Sequence, residues 1–411
     1  MDDKQDIEFS ALEPFAAPLD EIGTLPAVFG SPLRYVQGEG VIRQAGRYLS
    51  RLGIRRAAVL LSRRSQRAEG RDLLASLEAA GIAFELATFA GECSLEEITL
   101  HTRALQSLKE PVDAVIAVGG GKAVDAGKSI AHRCKLPSVV VPTLASNDAP
   151  CAAVSVLYTA DGVTLDAEIF DENPVLVLMD TGVVARAGER YLVAGMGDAM
   201  ATWYEARACI RNPAGFTVFG GRPTLAGNAI ARLCADTIFE HGIEALAAVR
   251  AHKVTAALEQ VVEANTLLSG LGYESGGLAA AHAFAQGFTV LDSVHRNYLH
   301  GEMVAMGTIA QLVLESAVDD AARVAGFFID IGLPVHLGHL GLSVADTTEL
   351  NAACEASLAF PFIANMGMQL DAQTLQAALS EADALGRGLV ASKGDTAYRA
   401  LHAPGPASRI S

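Results

Sequence analysis

Runs of aliphatic and β-branched residues of strand length recur through the first half of the chain and stop near residue 188. This break constrains the fold more than any single motif. AAVLL (57–61), AVIAV (114–118), SVVV (138–141) and VLVLM (175–179) are continuous rather than alternating, the pattern of parallel strands covered on both faces. Helix-like segments such as GRDLLASLEAAG (70–81) lie between the first two, that one closed by a glycine suited to a helix C-terminus. The βαβ rhythm predicts an open sheet with right-handed crossovers. One interruption, VSVLYTADGVTLDAEIF (154–170), reads as a β-hairpin turning at Ala160-Asp161-Gly162. Beyond 188, stretches such as YLVAGMGDAMATWYEARACI and GEMVAMGTIAQLVLES are apolar at helical spacing. We expect an α/β domain over 26–188, an all-helical domain over 189–411, and a disordered extension over 1–25.

A chain of 411 residues, 51% of them hydrophobic, is long enough to bury two sizeable cores. Its net charge of −16 argues against nucleic acid or an anionic membrane as partner, since both need a basic face. No apolar run approaches the roughly 20 residues of a membrane-spanning helix. The start, MDDKQDIEFS, has no apolar core and does not read as a secretory signal. Six cysteines without a Cys-x-x-Cys pair suggest reduced thiols and a cytoplasmic location.

Gly119-Gly120-Gly121 stands between a strand and a helix in AVIAVGGGKAVDAGKSIAHR (114–133). Glycines there let a pyrophosphate approach the backbone, and the helix start offers N–H groups to it. Lys122 and Lys128 add cations in an acidic chain, while the bland alternative is a structural turn. The spacing is neither a P-loop nor G-x-G-x-x-G, so a different dinucleotide fold is implied. At the next strand end, VVVPTLASNDAPCAAVS (139–155) offers Thr143, Ser146 and Asn147 to ribose or phosphate oxygens and Asp148 to a substrate hydroxyl. An ordinary loop using these residues for its turns is the alternative.

The stretch GLAAAHAFAQGFTVLDSVHRNYLHGE (277–302) carries His282, His295 and His300 in apolar surroundings. In one straight helix His282 and His300 would stand about 27 Å apart. Gly287 and the turn-prone DSVHRN imply instead that the chain reverses and brings the two rings together. Asp198, Gly-flanked at the start of an apolar helix, is a third candidate ligand, costly to bury unpaired. Asp plus two His, with no thiols, fits an open catalytic metal site. Taken singly, each residue is also explained by satisfied burial or a helix cap. His295 reads as a surface turn, with a proton relay as its sharper alternative.

The blocks GGGKAVDAGK, VPTLASNDAPCAAVSVLYT, LVAGMGDAMATWYEARAC, VEANTLLSGLGYESGGLAAAHA and YLHGE resemble, in order and wording, the glycerol dehydrogenases of the iron-containing alcohol dehydrogenase superfamily, over residues 25–390. The resemblance implies a dehydroquinate synthase-like fold, with an α/β dinucleotide-binding domain, an all-α metal-binding domain and an active site between them. It implies a divalent metal, Zn2+ in the glycerol enzymes, on Asp198, His282 and His300, and NAD on Gly120, Gly121, Lys122, Thr143, Ser146 and Tyr158. Asp148, with His282, falls where the family binds a small polyol such as glycerol, and a homo-oligomer, often an octamer, is implied.

The chain also departs from that pattern. Ser62-Arg63-Arg64 replaces the acidic residue expected after the first strand, which removes a repulsion and offers guanidinium groups to the 2′-phosphate of NADP. Solvated surface charges are the alternative for Arg63 and Arg64. Ala152 replaces a small hydroxyl residue near the nicotinamide, the second metal block is one residue longer than expected, and Ala285 stands where a further histidine is common. Rival readings are an NADP-linked reductase of 2-oxo acids, a lyase of the dehydroquinate synthase type, and a metal that only staples helices.

Overall fold

The computed structural model describes residues 15–16 and 23–403, so most of the expected disordered extension lies outside the described residues. Eight strands form among the described residues: β1 (Tyr35–Gly38), β2 (Arg56–Ser62), β3 (Ala83–Phe89), β4 (Ala114–Gly119), β5 (Ser138–Pro142), β6 (Val154–Tyr158), β7 (Thr164–Ile169) and β8 (Leu176–Asp180). Six of them make one parallel sheet in the order β1-β8-β5-β4-β2-β3, and β6 and β7 pair as the expected antiparallel hairpin.

Each central strand buries both faces. On β2, Ala57, Val59 and Leu61 pack with Leu73 and Leu77 of helix Gly70–Ala79, while Ala58 and Leu60 face Ala126 and Ile130 of helix Gly121–Cys134. Double burial is why these strands read as continuous apolar runs. The two edge strands were not legible. β1 is only four half-buried residues, and β3 pairs on one side only and buries one residue of seven. Neither needs an apolar run.

From β2 the chain steps outward to β3, then returns across β2 to β4, so the helices that follow β2 and β4 lie on opposite faces. Open α/β sheets bind ligands at such a reversal, beyond the carboxyl ends of the two strands. Ser62-Arg63-Arg64 and Gly119-Gly120-Gly121 stand at those two ends.

Past β8 only helices follow among the described residues. Helix Glu189–Arg211 is wrapped by Leu225–Arg250, Ser269–Gly276 and His300–Leu314 around a core that includes Met196, Met200, Phe284, Phe288, Met306 and Phe328. The two parts meet where Val124, Val140, Cys151 and Val177 of the sheet region pack on Leu271, with Ile230 and Leu267 beside it. No described helix is long and apolar enough to cross a membrane.

Candidate metal centre and active site

Helix Glu189–Arg211 carries Asp198, Thr202 and Glu205 at i, i+4 and i+7, which stacks three polar side chains on one face of an apolar helix. All three are fully buried. Asp198 sits in the middle of this helix rather than at the start expected from its flanking glycines, so no helix cap accounts for it.

The second block folds back as expected. Helix Ala280–Thr289 ends, Asp292–His295 forms a single turn, and a new helix begins at His300. The rings of His282 and His300 come to a centroid separation of 5.4 Å. His282 Nε2 lies 3.4 Å and His300 Nε2 3.3 Å from Asp198 Oδ1, neither with hydrogen-bond geometry, and that oxygen is buried without a partner. Ligand atoms of the three residues fall within 4.8 Å of one another, a convergence that no other trio of His, Cys, Asp or Glu makes among the described residues. His282 is nearly enclosed, whereas the His300 side chain is 46% exposed, so the cluster opens on one side.

Behind His282 stands Glu205, missed by the sequence reading. Its Oε2 is 2.6 Å from His282 Nδ1, and its Oε1 accepts the backbone N–H groups of Ala279 and His282, each at 2.9 Å. A carboxylate on Nδ1 keeps the proton there and leaves the Nε2 lone pair for a metal. Burial works against charge on His282, but Glu205 and Asp198 outweigh it and raise its proton affinity well above that of a free imidazole. Burial likewise opposes ionisation of Asp198, yet His300 and His282 hold its carboxyl well below the usual range. An orphaned buried carboxylate oxygen between two imidazole nitrogens, backed by a second carboxylate, suits a divalent cation. The donor set fits a metal.

Asp148 is next to this cluster. Its backbone N–H donates to Asp198 Oδ2 at 3.3 Å, and its Oδ2 accepts from Ser269 Oγ at 2.8 Å. Ser269 Oγ in turn is 2.7 Å from Thr202 Oγ1. Burial, then the charge of Asp198, pushes the Asp148 carboxyl up to about 7. A π-helical turn at Ala264–Leu268 precedes Ser269, and its Asn265 donates to the carbonyls of Ala145 and Leu192, tying the loop after β5 to the helix of Asp198. Such turns often mark functional sites.

The residues expected around NAD fall at the carboxyl ends of the strands. Gly120 and Gly121 open helix Gly121–Cys134, and a Cβ on Gly121 would sit 2.5 Å from the Asn147 amide. Thr143 is buried with its N–H on Gly119 O at 2.9 Å, and Ser146 is half-buried in the same loop. Lys122 is held by Glu92 at 2.6 Å and lies over the Tyr158 ring, 4.9 Å from its centroid. Lys128 is not a free cation. It is 2% exposed, paired with Asp125 at 3.0 Å, and donates to the carbonyls of Ala149, Ala152 and Val154. It therefore fixes the segment just after Asp148. Arg63 and Arg64 are exposed at the start of helix Arg63–Arg67, directly after β2. His295 stands apart from the metal cluster, with Nε2 2.5 Å from Gly162 O at the hairpin tip. Ala152 and Ala285 are both fully buried.

Comparison with known proteins identifies the family. Residues 32–181 match the family model of iron-containing alcohol dehydrogenase. Glycerol dehydrogenase of Escherichia coli O6:H1 is 43% identical over 81% of this chain and 89% of its own length. That of Thermotoga maritima is 42% identical, over 87% of this chain and 96% of its own. The crystal structure of glycerol dehydrogenase from Schizosaccharomyces pombe superposes with a TM-score of 0.84 at 35% identity, covering 90% of this chain and 94% of that one. The chain is an alcohol dehydrogenase and belongs to the glycerol dehydrogenases of the iron-containing alcohol dehydrogenase family.

Proposed function

We propose that the protein interconverts glycerol, or a closely related small polyol, and its carbonyl partner by hydride exchange with NAD, at a divalent metal held by Asp198, His282 and His300. The observation that carries this reading is the buried, partnerless Asp198 Oδ1 facing two imidazole nitrogens. A metal bound there supplies Lewis acidity that lowers the pKa of an alcohol oxygen. Glu205 fixes the tautomer of His282. Asp148, oriented by Ser269, accepts a hydrogen bond from the substrate hydroxyl that does not react. Gly120, Gly121 and the start of helix Gly121–Cys134 receive the pyrophosphate of NAD, with Thr143, Ser146, Lys122 and Tyr158 around it. The apolar residues around His282 exclude water while hydride moves, the redox chemistry itself belonging to the cofactor.

Residues 26–188 act as the dinucleotide domain and 189–411 as the metal domain. Zinc is the resident ion, NADP is the alternative coenzyme through Arg63 and Arg64, and the protein works as a homo-oligomer in the cytoplasm. Six free cysteines support a reducing compartment, and the exposed Leu225, Leu233 and Ile243 on helix Leu225–Arg250 support association. The 2-oxo acid alternative is not favoured. It requires a cation for the carboxylate, but the charged groups that act on Asp148 are Asp198 and the two histidines, and Lys128 is spent on Asp125 and carbonyls. Metal analysis of the purified protein, with NAD- and NADP-linked oxidation of glycerol, 1,2-diols and 2-hydroxy acids, tests the reading. His282→Ala should lose metal and activity together while remaining folded; full activity without metal refutes it.

A further inference from the structure

Two of the three candidate ligands sit on helices that touch backbone to backbone. A Cβ on Gly301 would collide with the Ala194 carbonyl and lie 3.1 Å from the Asp198 nitrogen, and one on Gly197 would collide with the Gly301 carbonyl. Any sliding of helix Glu189–Arg211 along helix His300–Leu314 therefore changes the distance between Asp198 and His300.

One buried carboxylate spans that crossing. Glu302, two residues after His300 and with a side chain 1% exposed, accepts Arg190 Nε on Oε1 and Arg190 Nη2 on Oε2, both at 2.7 Å. Arg190 belongs to the first turn of the helix that carries Asp198. Its Nη2 also donates to Asn297 O at 2.7 Å, in the turn that leads to His300. Oε2 of Glu302 folds back to accept the Leu299 N–H at 2.8 Å, closing the start of the His300 helix. The remaining contact is His402 Nε2, 3.0 Å from Oε1. His402 stacks on Tyr398 at 4.0 Å, and Tyr398 stacks on His339 at 3.8 Å, which seats helix Thr396–Leu401 against the turn Leu337–Leu340. With four donors the carboxylate is saturated. A fork of two parallel bonds fixes direction as well as distance, whereas a buried ion pair adds little net stability compared with an apolar replacement.

We propose that Arg190, Glu302 and His402 form a positioning clamp that sets the spacing of Asp198 and His300, so that affinity for the divalent ion depends on helix Thr396–Leu401 and the His402 that follows it. The clamp rests on the metal site proposed above. These residues touch neither substrate nor cofactor and act only through the two ligands.

The test is zinc affinity of the 411-residue chain, measured by competition with a chromogenic chelator, for wild type, Arg190→Lys, His402→Ala and His402→Gln. NAD affinity and thermal unfolding of the metal-free protein are measured alongside. An ammonium cannot reproduce the fork, so Arg190→Lys should weaken zinc binding about tenfold, the lower end for residues behind a metal ligand. His402→Ala should weaken it by roughly a third of that factor, and His402→Gln, which keeps a donor toward Glu302, should restore most of the loss. NAD affinity should not move. Wild-type zinc affinity in both Arg190→Lys and His402→Ala, with only the metal-free unfolding temperature lowered, overturns the clamp and leaves a structural ion pair. A wild-type chain that takes up no zinc overturns the metal site and the clamp with it.

Discussion

Glu205→Gln isolates the residue behind His282 with almost no change in shape. In the native site Glu205 Oε1 accepts two backbone N–H groups and Oε2 receives His282 Nδ1. A glutamine offers one acceptor and one donor in the same places. If its oxygen keeps the backbone bonds, its amide N–H faces Nδ1. The imidazole proton must then move to Nε2, the atom that faces Asp198 Oδ1 at 3.4 Å. If the amide flips, two buried backbone N–H groups lose their acceptor, which costs about 1–3 kcal/mol. Either way the Nε2 lone pair becomes costly to present. Residues in this position are worth roughly 10–100-fold in metal affinity, or about 1.4–2.7 kcal/mol. Ligand stabilisation follows from the same number. At zinc equal to about 100 times the wild-type dissociation constant, binding adds about 2.7 kcal/mol to the folded state. A variant weakened about 30-fold should gain only about 0.9 kcal/mol at that concentration. Chelator competition gives the affinity, and denaturant unfolding with and without zinc gives the stability increment. Wild-type values for both in Glu205→Gln would refute the argument that the carboxylate sets the tautomer of His282.

Asp148→Asn should raise KM for a vicinal diol about tenfold, one lost charge-assisted hydrogen bond, and change KM for a simple primary alcohol much less; equal losses on both substrates would count against a role in orienting the second hydroxyl. Arg63→Ala combined with Arg64→Ala should lower kcat/KM for NADP while leaving that for NAD in place, and strong NAD preference in both proteins would return the arginines to ordinary surface charge. His339 is buried beside His336, and burial first, then the neighbouring histidine, pushes its imidazole down to about 4. Its folded-state value is depressed, so the stability it supports is present above the free-histidine value near 6.5. That stability should be lost as pH falls toward 4. Urea unfolding midpoints across this window should fall more steeply for wild type than for His339→Gln, and parallel curves would contradict the assignment.

The sequence alone determined the elements whose signal is local. Strands buried on both faces must be apolar throughout, so β2, β4, β5 and β8 were legible, as was the hairpin with Gly162 at its turn. The strain of placing Asp198, His282 and His300 in apolar segments pointed to a cluster, because unpaired polar groups are expensive there. Tertiary structure decided everything that depends on who stands opposite whom. Edge strands β1 and β3 exist because a neighbouring strand offers them hydrogen bonds, which no property of their own residues announces. Lys122 and Lys128 read alike as cations near the glycine turn, yet Lys122 stays at the surface beside Glu92, whereas Lys128 is buried on Asp125 and three carbonyls. Glu205 could have been found, since it lies two turns after Asp198 on the same helix face. Its partner could not, because 77 residues separate it from His282 in the chain. Helical periodicity fixes which way a side chain points, and only packing of one helix on another fixes what it meets.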